Sequence, residues 1–170
     1  MQNRQVTLRA LEPADVDAVY RWENDPAVWQ HGVAHTPFSR HALAQYIADC
    51  GQADIYTAKQ LRLMAMDGVV AVGCVDLFDF DPYHRRAGVG LLVDQALRHQ
   101  GYGRAILEAL LDFARQHLQL HLVYCDVAAD NVPSRRLFEG AGFERCGLRR
   151  QWLHASDGWT DAVVYQKILS

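Results

Sequence analysis

The stretch that narrows the fold most is Arg98-His99-Gln100-Gly101-Tyr102-Gly103-Arg104, read together with what flanks it. An apolar run, Val89-Gly90-Leu91-Leu92-Val93, precedes it. An amphipathic run, Ala105 to Leu118, follows, with Ile106, Leu107, Leu110, Leu111, Ala114 and Leu118 on one stripe. That order reads as strand, glycine loop, helix. Glycines two apart let the backbone bend tightly and turn successive N–H groups toward one point. A helix N-terminus adds unpaired donors and the positive end of its dipole. Such a place suits phosphate, with Arg98 and Arg104 adding charge at its rim. The same glycines also suit a plain strand–helix turn. A Walker loop is excluded because no lysine follows, and a dinucleotide fingerprint is excluded because Ile106 stands where a third glycine would.

At 170 residues, half hydrophobic and 22% charged, the chain suits one domain with its own core. A net charge of −3 gives no general attraction to nucleic acid. No apolar run reaches membrane-spanning length, and the N-terminus lacks a basic-then-apolar leader. Cysteines 50, 74, 125 and 146 show no CxxC spacing and read as reduced residues in a cytoplasm. His31 with His35, and His117 with His121, have i,i+4 spacing. Gly32 and Pro37 break up the first pair, the second straddles a helix–strand boundary, and neither has a third ligand nearby, so no metal is expected.

Alternation predicts a strand over Val6 to Leu11, and Glu12-Pro13 opens a helix to about Trp22. Residues 23 to 38 read as irregular, punctuated by Asn24-Asp25-Pro26, Gly32 and Pro37. Ser39 caps a helix ending near Gly51. Leu61 to Met66 and Val69 to Phe80 form a hairpin around Asp67-Gly68. Asp81-Pro82-Tyr83-His84 turns the chain into the strand before the glycine loop. Leu120 to Val127 is a buried strand, and Asn131 caps a helix that Gly142 ends. Leu148 to His154 and Thr160 to Leu169 close the chain as a hairpin around Asp157-Gly158. The order predicts one mixed α/β domain over residues 1–170.

These residues resemble the GNAT superfamily of N-acetyltransferases. The family's acetyl-CoA motif, Gln/Arg-x-x-Gly-x-Gly/Ala after an apolar strand, stands here as Arg98 to Gly103. A second pattern stands as Asn131, Ser134, Phe138 and Gly142-Phe143. Val6-x-Leu8-Arg9, Trp22-x-Asn24-Asp25-Pro26, His84-Arg85-Arg86-Ala87 and Gly158-Trp159-x-Asp161-Ala162 are similar to the spermidine/spermine and ribosomal-protein N-terminal acetyltransferase branch. The resemblance implies a mixed, mostly antiparallel sheet flanked by helices, with a splayed central strand pair. It implies acetyl transfer from acetyl-CoA to a primary amine by direct attack, without choosing among polyamine, peptide terminus and drug. A non-catalytic acyl-CoA-binding module on the same fold is the second reading.

By that resemblance, Leu91, Leu92 and Val93 line acetyl-CoA. Arg98, His99, Gln100, Gly101, Tyr102, Gly103 and Arg104 also bind this cofactor, the Gln100 to Arg104 backbone holding its pyrophosphate, and Asn131, Ser134 and Phe138 touch the cofactor. A backbone N–H at Leu91 or Leu92 would stabilise the developing oxyanion. Many relatives have a glutamate where this chain has Ala87-Gly88, and a tyrosine where it has Phe138, which has no proton to give. Asp79 and Asp76 are candidate bases, with Asp79 favoured because the turn should bring it onto the face of Gly88. Three residues apart, the two should lie on opposite faces; both also read as solvated strand residues. Glu23 and Asp25 could draw in a cationic amine, and Trp29, His31 and His35 could line its pocket, or simply cover the core. Trp152 and Trp159 are expected as a cross-strand pair and, if exposed together, as a homodimer face.

Overall fold

A computed structural model describes residues 4–29, 36–155 and 158–169. Strand β1 (Thr7–Ala10) leads through a 3-10 turn (Pro13–Asp15) into helix α1 (Val16–Glu23). Helices α2 (Pro26–Trp29), α3 (Arg40–Cys50) and α4 (Ile55–Ala58) follow. Strands β2 (Leu61–Asp67), β3 (Val70–Asp81) and β4 (Arg86–Val93) then run antiparallel to one another. A 3-10 turn (Gln95–Leu97) and the glycine loop lead into α5 (Tyr102–Gln116). Then come β5 (Leu122–Ala128), α6 (Val132–Gly140), β6 (Glu144–Ala155) and β7 (Gly158–Ile168).

The strands form one sheet in the order β1-β2-β3-β4-β5-β7-β6. Only β4 and β5 are parallel neighbours among the described pairs. One face carries Val75, Leu77, Val89, Val123 and Tyr165, packed with Ile106, Leu107 and Leu110 of α5 and Phe138 of α6. The other carries Met64, Met66 and Cys74, packed with Val19 and Trp22 of α1 and Leu43 and Ile47 of α3. Burial on both faces explains why β3 reads as a nearly unbroken apolar run.

Local signals set most boundaries. The Ser39 hydroxyl accepts the Ala42 N–H at 3.1 Å, and Asn131 Oδ1 accepts the Ser134 N–H at 3.2 Å. The segment 23–38, expected to be irregular, holds α2. Asp25 Oδ1 accepts the Ala27 N–H at 2.9 Å and Pro26 takes the first helical position, so the residues read as a break start a helix. At Gly73 an added Cβ would collide with the Leu92 carbonyl oxygen, so β3 and β4 approach there as only glycine permits.

Candidate functional site

The central strands part company. β4 and β5 pair at Arg86↔Leu122, Ala87↔Val123 and Gly88↔Tyr124. Beyond Gly88, β4 keeps β3 as its partner to Val93, while β5 runs on beside β7. The orientation of β4 in this opening follows from its ends. The Arg85 carbonyl accepts the Leu122 N–H on the β5 side, whereas the Asp94 N–H donates to the Val72 carbonyl on the β3 side. Alternation between those points turns the N–H groups of Val89, Leu91 and Val93 toward the gap. Leu92 points to β3 instead, in agreement with its carbonyl lying against Gly73. Of the two expected oxyanion donors, only Leu91 faces the opening.

The glycine loop sits at the mouth of that gap. Gly101 has φ of 89°, which glycine adopts without strain, and precedes the first residue of α5. The Ala105 N–H is the first to reach back, to the Gly101 carbonyl at 3.2 Å. The N–H groups of Tyr102, Gly103 and Arg104 are therefore left for an outside acceptor. Gly103 serves packing: a Cβ there would lie 3.3 Å from Leu137 Cδ2 and 3.7 Å from Val93 Cγ2. It lets α5 settle against α6 and β4.

The loop's side chains mostly hold the loop itself. The Tyr102 ring is buried; its hydroxyl donates to Asp67 at 2.7 Å and accepts from Arg4 at 2.9 Å. The Arg4 guanidinium lies 4.5 Å from the ring centroid and its Nε donates to the Gln100 carbonyl at 3.4 Å. Arg98 Nε donates to the Val93 carbonyl at 3.3 Å, and Gln100 Nε2 to the Ala96 carbonyl at 3.1 Å. Arg104 pairs with Glu108 at 2.7 Å on an exposed surface, and His99 takes φ of 62°. On α6, Asn131 is the helix cap, and Phe138 is buried edge-to-face against Phe143 with centroids 5.0 Å apart.

The other face of β4 corrects the expected placement of Asp79. Phe78, not Asp79, stands opposite Gly88, because the register slips between Phe78 and Asp81 and Asp79 bulges out with φ of 49°. The Phe78 ring fills the space a Gly88 side chain would take. Asp79 reaches Tyr124, whose hydroxyl donates to it at 3.4 Å. Burial, then the Asp79 charge, pushes the Tyr124 hydroxyl pKa up. The bulge also undoes the expected opposition of the two aspartates, since Asp76 and the Asp79–Tyr124 pair share one face. Asp76 stands opposite Gly90, next to Leu91.

Asp76 is engaged by Arg62, its neighbour across the hairpin, at 2.6 and 3.1 Å. Arg62 Nη1 also holds Glu23 at 2.6 Å. Burial works against the Arg62 charge, but Asp76 more than offsets it and holds the guanidinium above its ordinary value. In the same turn of α1, Trp22 Nε1 and Arg21 donate to Asp94 at 2.8 and 3.0 Å. Burial opposes the ionisation of Asp94, yet these bonds and the Ala96 N–H keep its carboxyl below the usual carboxylate range. A cleft of about 490 Å³ lies here, lined by Arg21, Trp22, Asp25, Asp94, Gln95 and Ala96. The Trp29 side chain, His31 and His35 lie outside the described residues.

Two more features bear on the chemistry. Burial pushes the Cys74 thiol up to about 12 and raises the Cys125 thiol further, so neither is a thiolate near neutrality. Trp152 and Trp159 are both exposed but do not face each other. Trp159 stands opposite His154, with rings 5.1 Å apart, while Trp152 lies 4.8 Å from the Arg149 guanidinium. The register shift between Arg149 and Leu153 separates them.

Arg4, Arg62, Leu137 and Tyr124 escaped the reading of the sequence. Only Arg62 left a trace, as a charged residue in an apolar hairpin strand with an aspartate on the partner strand.

Comparison with known proteins fits this geometry. An uncharacterised Mycobacterium leprae protein is 28% identical over 91% of this chain, which spans 39% of that protein's length. The [ribosomal protein bS18]-alanine N-acetyltransferase of Escherichia coli K12 is 27% identical, over 93% of this chain and 94% of its own. The crystal structure of Vibrio cholerae spermidine N-acetyltransferase in complex with CoA and spermine superposes with a TM-score of 0.88 at 23% identity, covering 98% of this chain and 97% of that one. The acetyltransferase (GNAT) domain model matches residues 5–144, and the chain belongs to that family.

Proposed function

We propose that the protein transfers the acetyl group of acetyl-CoA directly to a primary amine. The observation that carries this reading is the parting of β4 from β5 with the Leu91 N–H in the gap, immediately before the unpaired N-terminus of α5. The three free N–H groups and the dipole of α5 suit a pyrophosphate, and the gap along Leu91 to Val93 suits an extended, uncharged arm. Acetyl-CoA, when bound, supplies the activated thioester. The Leu91 N–H then stabilises the oxyanion as the amine nitrogen attacks the carbonyl carbon and the carbon–sulfur bond breaks. The raised thiols of Cys74 and Cys125 argue against acetyl transfer through either of these two sulfurs.

Proton transfer falls to solvent. Gly88 has no side chain and is roofed by Phe78; Asp79 sits in the bulge and turns to Tyr124; both Asp76 oxygens already accept from Arg62. Asp76 orients the ammonium beside Gly90, where the face of β4 is bare. Asp79→Asn is therefore expected to leave turnover within about twofold. Asp76→Asn should lower kcat/KM for the amine at least tenfold with little change in KM for acetyl-CoA. The converse pattern would return the base to Asp79. Turnover should rise with pH between about 6.5 and 9 as the amine loses its proton.

The reading is tested by thiol release from acetyl-CoA over a panel of amines, with the product located by mass spectrometry. Binding of acetyl-CoA without release for any amine would leave a non-catalytic acyl-CoA-binding module. The acceptor class belongs to this proposal too: the relatives act on a polyamine in one case and a protein alanine in the other. Self-association is expected at the β6–β7 hairpin, where Trp152, Leu153 and Trp159 are exposed.

A further inference from the structure

We infer that Phe78 is the specificity-determining residue for the acyl donor, and that its ring sets the upper size of the transferred group near that of acetyl. This deepens the acetyltransferase reading above and rests on it. An arm that enters from the N-terminus of α5 runs down the gap from Val93 toward Gly88, against the direction of β4. With the carbonyl oxygen on the Leu91 N–H, the sulfur lies on the Val93 side and the acyl carbons point toward Gly88. The carbonyl then lies in the plane of the sheet. The amine attacks from the face over Gly90, where a Cβ would meet nothing nearer than Asp76 Cβ at 4.0 Å.

An acyl chain can lengthen from there in three directions, and each is shut. Ahead of it, β4 and β5 close at Gly88↔Tyr124, three residues before Leu91. Paired strands lie about 4.8 Å apart, which leaves no room for methylenes between them. On the α5 side the space is filled by buried Val89, Cys125, Ile106 and Phe138. The remaining direction is up over Gly88, on the face from which the amine comes. A bare glycine would leave that direction open, but the Phe78 ring covers it: a Cβ on Gly88 would run into Cε2 and Cζ of the ring.

Two contacts fix the ring. The slip in β3 leaves Phe78 opposite Gly88, and Tyr124, paired with Gly88 from the other side, meets it edge-to-face with centroids 6.2 Å apart. Phe78 is 36% exposed, so its ring parts the gap from open space and not from core. A cavity of about 450 Å³ begins at Asp79 and Tyr124, its chain neighbour and its ring partner, and is also lined by Leu122 and Val164. Removing the ring joins the acyl position to room for a longer chain. One methylene more or less in a closed apolar pocket changes kcat/KM about 10–200-fold.

The test compares kcat/KM for acetyl-CoA, propionyl-CoA and butyryl-CoA in the parent, Phe78→Leu and Phe78→Ala, with the best amine of the panel held fixed. Acceptor effects cancel in the ratio of two donors. In the parent, butyryl-CoA should fall at least about a hundredfold below acetyl-CoA, with propionyl-CoA between. Phe78→Ala should move the butyryl-to-acetyl ratio at least about tenfold toward butyryl, and Phe78→Leu by less. The dissociation constant of CoA itself, which carries no acyl group, should stay within about twofold in both variants. A purely structural ring would instead weaken CoA and every donor together, and that result overturns the inference. So does a parent that uses butyryl-CoA within about threefold of acetyl-CoA, or an unmoved ratio in folded Phe78→Ala. If Phe78→Ala does not fold, Phe78→Leu decides, and an unmoved ratio there overturns the inference. Failure to release thiol from acetyl-CoA with any amine is a separate result, and it overturns the acetyltransferase reading itself.

Discussion

Gly73→Ala is expected to be the most damaging one-methyl change in the described chain. The new Cβ runs into the Leu92 carbonyl oxygen, and both atoms belong to backbone held in the β3–β4 ladder. No rotamer relieves such a contact, so the strands must spread. Overpacking costs about 1–3 kcal/mol, more where backbone must move. For a domain of this size, about 3 kcal/mol lowers Tm by roughly 6–12 °C. The damage reaches chemistry as well, because the displaced carbonyl is one residue from the Leu91 N–H that faces the gap. Turnover at saturating acetyl-CoA should fall at least tenfold below the melting range. Gly140→Ala is the control: it has open space around its Cβ and an ordinary helical backbone, so Tm should hold or rise. A Gly73→Ala protein that melts within about 1 °C of the parent would remove this account of the β3–β4 contact.

Gly101→Val should act on binding. At φ of 89° a β-branched residue is strained by about 1–2 kcal/mol or more, and the loop escapes the strain by turning its N–H groups away from their common point. Acetyl-CoA affinity measured by calorimetry should weaken at least tenfold, about 1.4 kcal/mol. Gly103→Ala should behave differently. Its contact is with the end of the Leu137 side chain at 3.3 Å, which can give by a few tenths of an ångström. Stability should shift slightly and affinity less than threefold. An unchanged affinity in folded Gly101→Val would mean that the phosphate is held elsewhere.

Much of this molecule is legible in its sequence because the signals are local. Ser39 and Asn131 cap their helices as residue type requires, and Gly101 makes the tight bend that a glycine before α5 allows. Register is not local. An unbroken turn between β3 and β4 would set Asp79 opposite Gly88, and the favoured base followed from that pairing. One extra residue at the bulge puts Phe78 there instead. The β2–β3 hairpin repeats the lesson. Its turn pairs Met66 with Ala71, which would carry Arg62 opposite Val75; the slip between Ala65 and Met66 brings it to Asp76. A bulge moves every later side chain across the sheet yet leaves no mark in residue type. Contacts such as Arg4 on Tyr102, 98 positions apart, are likewise invisible until the chain is folded.

The last turn of α1 has a consequence for anyone recombining members of this family. Arg21 and Trp22 grip Asp94 ahead of the glycine loop, while Glu23 grips Arg62, which holds Asp76 opposite Gly90. Three successive residues therefore serve both halves of the molecule. A transplanted segment that begins before Asn24 would carry away the fastening of the glycine loop, and the chimera would lose both partners at once. A junction placed after Glu23 keeps the fastening native and lets the following segment be exchanged as a cassette.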